Sequence, residues 1–167
     1  MVDKKEVIKE KVDNTGIFNF RDFYGLAYNW LKERENYGVI EDKYSESLSG
    51  NSKTIEIVWK ATKDLSDYFK IEIEVKMKVS NLTDVEVEID GKTKRTNRGN
   101  INVEIKGILV RDAESRWDVA PFYRFLRDVY DKYVIPHRIK DFEQKVITDI
   151  IIFKEELKAF FEIEGKR

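Results

Sequence analysis

The sequence predicts an α+β fold: a four-stranded antiparallel meander sheet with an N-terminal helix and a kinked C-terminal helix pair packed on one face. Three observations carry this. Apolar and charged residues alternate without interruption from Phe69 to Val79, with Ile71, Ile73, Val75 and Met77 on one side and Lys70, Glu72, Glu74, Lys76 and Lys78 on the other. That is a strand with one dry and one wet face. Phe20, Phe23, Tyr24, Ala27, Trp30 and Leu31 follow helical spacing, and in the last third Ile139, Val146, Phe153 and Phe160 recur along a second helical stripe.

Taken in order, residues 1–16 are charged, with Val2, Val7, Ile8 and Val12 as their only apolar points. They read as a loose N-terminal arm or a short appended element. The first helix is expected from about Phe20 to Tyr37, with Asn19 and Asp22 at its start and Gly38 as its stop. Residues 41–53 are rich in Ser, Asn and Gly, which predicts a mobile loop.

The sheet then opens with Ile55, Ile57, Trp59 and Ala61 on one face. Placing Trp59 against Ile73 and Ile57 against Val75 sets Lys60 on Glu72 and Glu56 on Lys76, so the wet faces carry opposite charges. A turn at Asn81-Leu82-Thr83 would return the chain with Val79 on Val85, Met77 on Val87 and Lys78 on Glu86. Asp90-Gly91 is a strong tight-turn pair. A two-residue turn there, however, puts Lys92 and Lys94 on the dry side. The preferred register therefore sets Ile89 on Ile101 and Val87 on Val103, with residues 90–100 as a polar hairpin extension, at the cost of opposing Glu86 and Glu104.

Pro121 suits a first helical turn, followed by the stripe Phe122, Phe125, Leu126, Val129, Tyr130 and Tyr133. Pro136 ends or kinks that helix. In the helix beyond it Ile150, Ile151 and Ile152 are consecutive, making it apolar nearly all round at that point. These three residues nominate an interface.

The chain of 167 residues fits a single domain, 1–167, large enough to bury a core. Its 31 basic and 32 acidic side chains leave a net charge of −1, so any charged partner must meet a local patch rather than an overall field. The absence of cysteine excludes disulfides, thiolate zinc sites and cysteine nucleophiles. Abundant Lys, Glu and Ile with a single glutamine, Gln144, match the bias of heat-adapted proteins, although AT-rich genomes favour Lys and Ile too. Met1-Val-Asp-Lys-Lys-Glu offers no apolar leader, and no apolar run approaches the ~20 residues of a membrane span. The expected location is the cytoplasm.

No catalytic or cofactor-binding set emerges, and no metal ligand set. The only histidine, His137, lies one turn before Asp141 but has neither a nucleophile nor further ligands in sequence proximity. A helix-start histidine paired with a solvated acid is the plainer reading. Asp112, Glu114 and Asp118 could hold Mg²⁺, yet Arg111 and Arg116 mark them as a solvated loop carrying its own counter-ions. Glycine-rich phosphate loops and nucleophile-elbow patterns are absent.

Two further constellations have binding chemistry. Lys92, Lys94, Arg95 and Arg98 fall in a short acid-free stretch, the pattern of weak nucleic-acid binding through phosphates. Against it stand the near-zero net charge, the lack of an aromatic stacking platform, and the need of any exposed hairpin for charge. The ten Phe, eight Tyr and three Trp suggest a cavity for a small apolar ligand between a curved sheet and its long helix, lined by Trp59, Met77, Phe125 and Phe153. A filled core explains the same spacing.

Trp59-Lys-Ala61 with Tyr68-Phe-Lys-Ile71, and Arg116-Trp117 with Pro121-Phe-Tyr-Arg-Phe-Leu126 and Tyr130-Asp-Lys-Tyr133, resemble segments of a family of small archaeal proteins without an assigned activity. The resemblance spans most of residues 20–160 and implies no site residue. Together these features predict a non-catalytic binding or assembly domain that self-associates or docks a protein partner, with nucleic-acid association and apolar-ligand binding as alternatives.

Overall fold

The computed structural model describes residues 3–111, 121–129 and 136–165. The elements are β1 (Asp3–Ile17), α1 (Phe20–Asn29) with a π-helical turn (Trp30–Arg34), β2 (Gly38–Ser49), β3 (Ser52–Asp64), β4 (Phe69–Ile89), β5 (Lys92–Arg111), α2 (Pro121–Val129) and α3 (Pro136–Gly165). The sheet is antiparallel, in the order β1-β5-β4-β3-β2, and α1 and α3 lie together on its dry face.

The sheet therefore has five strands, not four. Two of them, β1 and β2, come from stretches expected to be a loose arm and a loop, while the expected strands 69–79 and 85–89 are one continuous strand, β4. The apolar points of β1 are sparse because it is an edge strand, covered only where α3 crosses it, and a bulge between Glu6 and Ile8 breaks its alternation. Residues 41–53 are not a loop either: they form most of β2, a turn at Gly50 (φ +63°) and the start of β3, with Ser49 paired to Ser52. β2 reads as loop-like because nearly every position on this second edge is exposed.

Two registers also differ from expectation. Trp59 pairs with Val75 and Ile57 with Met77, a slip of two residues that keeps every side chain on its predicted face. The turn decides between the two: Ser66 Oγ accepts from the backbone N–H groups of Tyr68 and Phe69, at 3.2 and 3.1 Å, and closes the loop before Lys70. The chain does not reverse at Asn81. Instead β4 runs for 21 residues through a bulge, Asn81 taking φ +56°, so that Val85 to Ile89 continue the same strand. Gly99 sits under this bulge, where a β-carbon would lie 3.0 Å from Leu82 Cα and 3.1 Å from the Ser80 carbonyl oxygen.

The reversal is the two-residue turn Asp90-Gly91 that charge placement had argued against. Lys92 and Lys94 do fall opposite Ile89 and Val87, but the bulge at Asn81 shifts this stretch of β4 by one residue, so all four lie on the face shared by Asn100, Asn102 and Glu104, where both lysines are exposed. Glu86 then meets Arg95, and Glu104 meets Lys76, which removes the misfit of paired acids.

Helix α1 starts as expected, with Asn19 Oδ1 accepting from the Asp22 N–H at 2.9 Å. Its π-helical continuation ends at Arg34, four residues before Gly38, and Asn36 with φ +59° turns the chain towards β2. The C-terminal element on the sheet is a single long helix rather than a kinked pair. α3 buries Val146, Ile150, Phe153 and Leu157 against β1 and β5. Each such fully buried side chain stabilises the fold by roughly 1.5–3 kcal/mol. Among the described residues, no helix is long and apolar enough to cross a membrane.

A candidate docking groove between α1 and α3

The π-helical turn builds the most apolar concavity described. Beyond Asn29 the hydrogen bonds lengthen by one residue, as in Glu35 N–H to Trp30 O at 3.1 Å, and Trp30 and Leu31 are buried side by side. The Trp30 indole stacks on Phe153 of α3, with centroids 4.8 Å apart and planes at 26°. Its Nε1–H is buried and finds no acceptor. Beside it runs a groove of about 460 Å³ lined by Leu26, Asn29, Trp30, Glu33, Arg34 and Glu156. Arg34 donates to Glu156 Oε1 at 3.0 Å across the two walls.

The groove continues as a stripe on α3. Ile152, Ala159 and Ile163 lie one to two turns from Glu156 on the same helix face. Leu26, Ile152 and Ile163 are 36, 40 and 58 % exposed. Below the groove a buried polar link fixes the two walls: the Tyr37 hydroxyl donates to Asp149 at 2.7 Å, and Lys145 completes the carboxylate at 2.9 Å. Burial, and then the Asp149 bond, hold the Tyr37 proton well above the usual phenol range. Lys63 caps the Glu35 carbonyl and lies over the Tyr37 ring at 5.3 Å.

Elsewhere the concavities are polar or small. The wet face of the sheet forms an open trough of about 530 Å³ with Lys11, Asp13, Lys43, Glu56, Lys76 and Lys78 in its walls. Two of its acids are engaged, Lys43 holding Glu56 at 2.7 Å and Lys9 holding Glu104 at 3.2 Å, which keeps both carboxyls below the usual range. At the rim of the core, Glu41 accepts from the Tyr24 hydroxyl at 2.5 Å and from Trp59 Nε1 at 2.9 Å. Burial and this carboxylate push the Tyr24 phenol up to about 12.

The residues singled out in the sequence scatter. Of the interface trio, Ile150 is buried on the sheet while Ile151 and Ile152 remain 43 and 40 % exposed, so the ridge is half core and half surface. Trp59, Met77 and Phe153 share one packed cluster, whereas Phe125 sits on α2 and is 62 % exposed. Lys92, Lys94 and Arg98 alternate onto one face of the hairpin and Arg95 onto the other, and the facing strand brings Asp84, Glu86 and Glu88 to the same tip. Asp112, Glu114, Arg116 and Asp118 lie outside the described residues, as does the side chain of His137. Sequence reasoning missed Leu26, Glu33, Arg34 and Glu156, which fall off the apolar stripes of their own helices and gain meaning only when the helices meet. The chain matches no known protein-family model and no curated protein.

Proposed function

We propose that the protein is a non-catalytic, cytoplasmic assembly domain that docks a protein segment in the groove between α1 and α3. The observation that carries the reading is the open groove between α1 and α3 that Leu26 and Trp30 line. Trp30 also leaves its buried Nε1–H without an acceptor, at a cost of roughly 1–3 kcal/mol, so the wall of the groove is not packed for stability alone. Leu26 and Trp30 line the groove together with Glu33, Arg34 and Glu156, and the exposed Ile152 lies one turn along α3 from Glu156, a mixture of apolar and charged groups that suits a protein interface.

The experiment is affinity capture from source-cell lysate with nuclease present, comparing the wild-type chain with Leu26→Arg/Ile152→Arg and with the hairpin variant Lys92→Ser/Lys94→Ser/Arg95→Ser/Arg98→Ser. Stoichiometric protein lost only by the groove variant is the expected result. Equal recovery by wild type and groove variant overturns the reading.

A further inference from the structure

On the flank of α1 turned away from the docking groove, Phe20 and Tyr24 stand one turn apart, their ring centroids separated by 6.3 Å and their planes at 57°. β2 adds Tyr44, which pairs with Ile57 and so stands on the α1 side of the sheet, 46 % exposed. With Arg21 these rings line a pocket of about 280 Å³. That is below the ~300–1,000 Å³ of a pocket for a whole drug-sized ligand, so it suits a single ring system. Tyr24 is fixed from behind, since its hydroxyl donates to Glu41 and its ring meets Trp59 edge-on at 5.1 Å.

Arg21 also borders a second hollow, of about 290 Å³, which it lines with Asn19, Asp84, Arg95, Thr96 and Asn97. Asn97 ties its two sides together: Oδ1 accepts from the Phe20 N–H at 3.1 Å and Nδ2 donates to Asp84 at 2.8 Å. Asp84, the acid of this lining, is thereby engaged. Among the described residues neither Arg21 nor Arg95 forms an ion pair, although Glu86 lies across the ladder from Arg95. A pocket of rings thus adjoins a hollow with two guanidinium groups that hold no carboxylate.

We infer that this is a binding site for a nucleobase with its phosphate: the base lies against Phe20, Tyr24 and Tyr44, and Arg21 and Arg95 hold the phosphate. Arg21 in the wall of the ring pocket repels an organic cation, and an uncharged ring leaves both arginines unused. The basic stretch from Lys92 to Arg98 has no aromatic of its own, but the fold brings it a stacking platform from α1 and β2. The site shares no residue with the groove between α1 and α3 and does not rest on the docking reading.

The test is isothermal titration calorimetry of the full chain with three probes: octathymidylate, an abasic strand of the same length, and thymidine monophosphate. The expected result is octathymidylate bound at least about fivefold tighter than the abasic strand, with a log–log salt slope of about −1.4 for two phosphate contacts. Tyr44→Ala and Arg21→Ser/Arg95→Ser, all at exposed positions and checked for folding by circular dichroism, should each weaken binding at least about fivefold. Tyr44→Phe, which keeps the ring, and Leu26→Arg/Ile152→Arg, which alters the groove, should bind as wild type. Monophosphate bound as well as the octamer identifies a free nucleotide as the ligand, and octamer binding alone identifies a single strand. No binding of either overturns the inference, as does an abasic strand bound as tightly as the octamer or a Tyr44→Ala variant that binds like wild type. Lysate capture with nuclease present reads the groove and should not respond to Tyr44→Ala, so each reading can fail without the other.

Discussion

Gly107 of β5 lies directly beneath Ile150 of α3: a β-carbon on the glycine would meet Ile150 Cγ1 at 3.0 Å, Ile8 Cγ2 at 3.0 Å and Val146 Cγ1 at 2.6 Å. The helix approaches the sheet this closely only because one strand position has no side chain. Gly107→Ala therefore overpacks the seam, and the expected loss is about 1–3 kcal/mol in urea unfolding. A melt superimposable on wild type would mean that α3 shifts freely along the sheet.

The bond from Tyr37 to Asp149 joins the end of the π-helical turn to α3 in the interior. Tyr37→Phe removes a donor from a buried carboxylate and should cost roughly 1–3 kcal/mol. Lys145→Ala, whose side chain is 42 % exposed, should cost less than Tyr37→Phe. The two denaturation midpoints compared side by side decide it, and the reverse ranking would place the anchoring charge on Lys145.

Alkaline pH should unfold the protein through its tyrosines. A free tyrosine ionises near pH ~10, whereas Tyr24 holds its proton to about 12 and Tyr37 is raised as well, each by burial first and a carboxylate neighbour second. The folded state then binds more protons than the unfolded state above the free value. Stability is full below that value and is lost as pH rises towards the folded one. Tyr24→Phe should flatten the first part of the decline, measured as unfolding midpoint against pH, while phenolate absorbance shows the late titration directly.

At the hairpin, Asp90 and Gly91 both have positive φ, 52° and 76°. Gly91→Ala should cost about 1–2 kcal/mol, because an L-residue there meets the carbonyl that glycine avoids. Asp90→Asn keeps a residue that tolerates this region and should leave the thermal midpoint unchanged.

Face was easier to read than register. Alternation from Phe69 to Val79 assigned inward and outward sides correctly, yet a two-residue slip satisfies the same pattern, and only the Ser66 turn distinguishes Trp59 on Val75 from Trp59 on Ile73. Val85 to Ile89 looked like a returning strand because a bulge interrupts a pattern in the same way as a turn. Gly99, which makes room for that bulge, is silent without its partner strand. β1 and β2 were lost to composition, since edge strands are half solvated and lack a clean period. Of the groove and the stripe beyond it, only Ile152 was singled out in the sequence as a surface residue. Leu26 and Glu156 come from helices far apart in sequence, and an indole N–H without an acceptor is a property of packing that no residue pattern encodes.

The position of β1 beside β5 governs the order in which the chain can acquire its shape. Val12 pairs with Val103, so β1, once synthesised, waits roughly ninety residues for its neighbour. The β4–β5 hairpin, by contrast, can zip from Asp90-Gly91 as soon as both arms emerge, with little loop entropy to overcome. Until that hairpin forms, Val7, Ile8 and Val12 have no surface to cover them. The charges packed around those residues, Lys4, Lys5, Glu6, Lys9, Glu10 and Lys11, keep a nascent strand soluble while it waits.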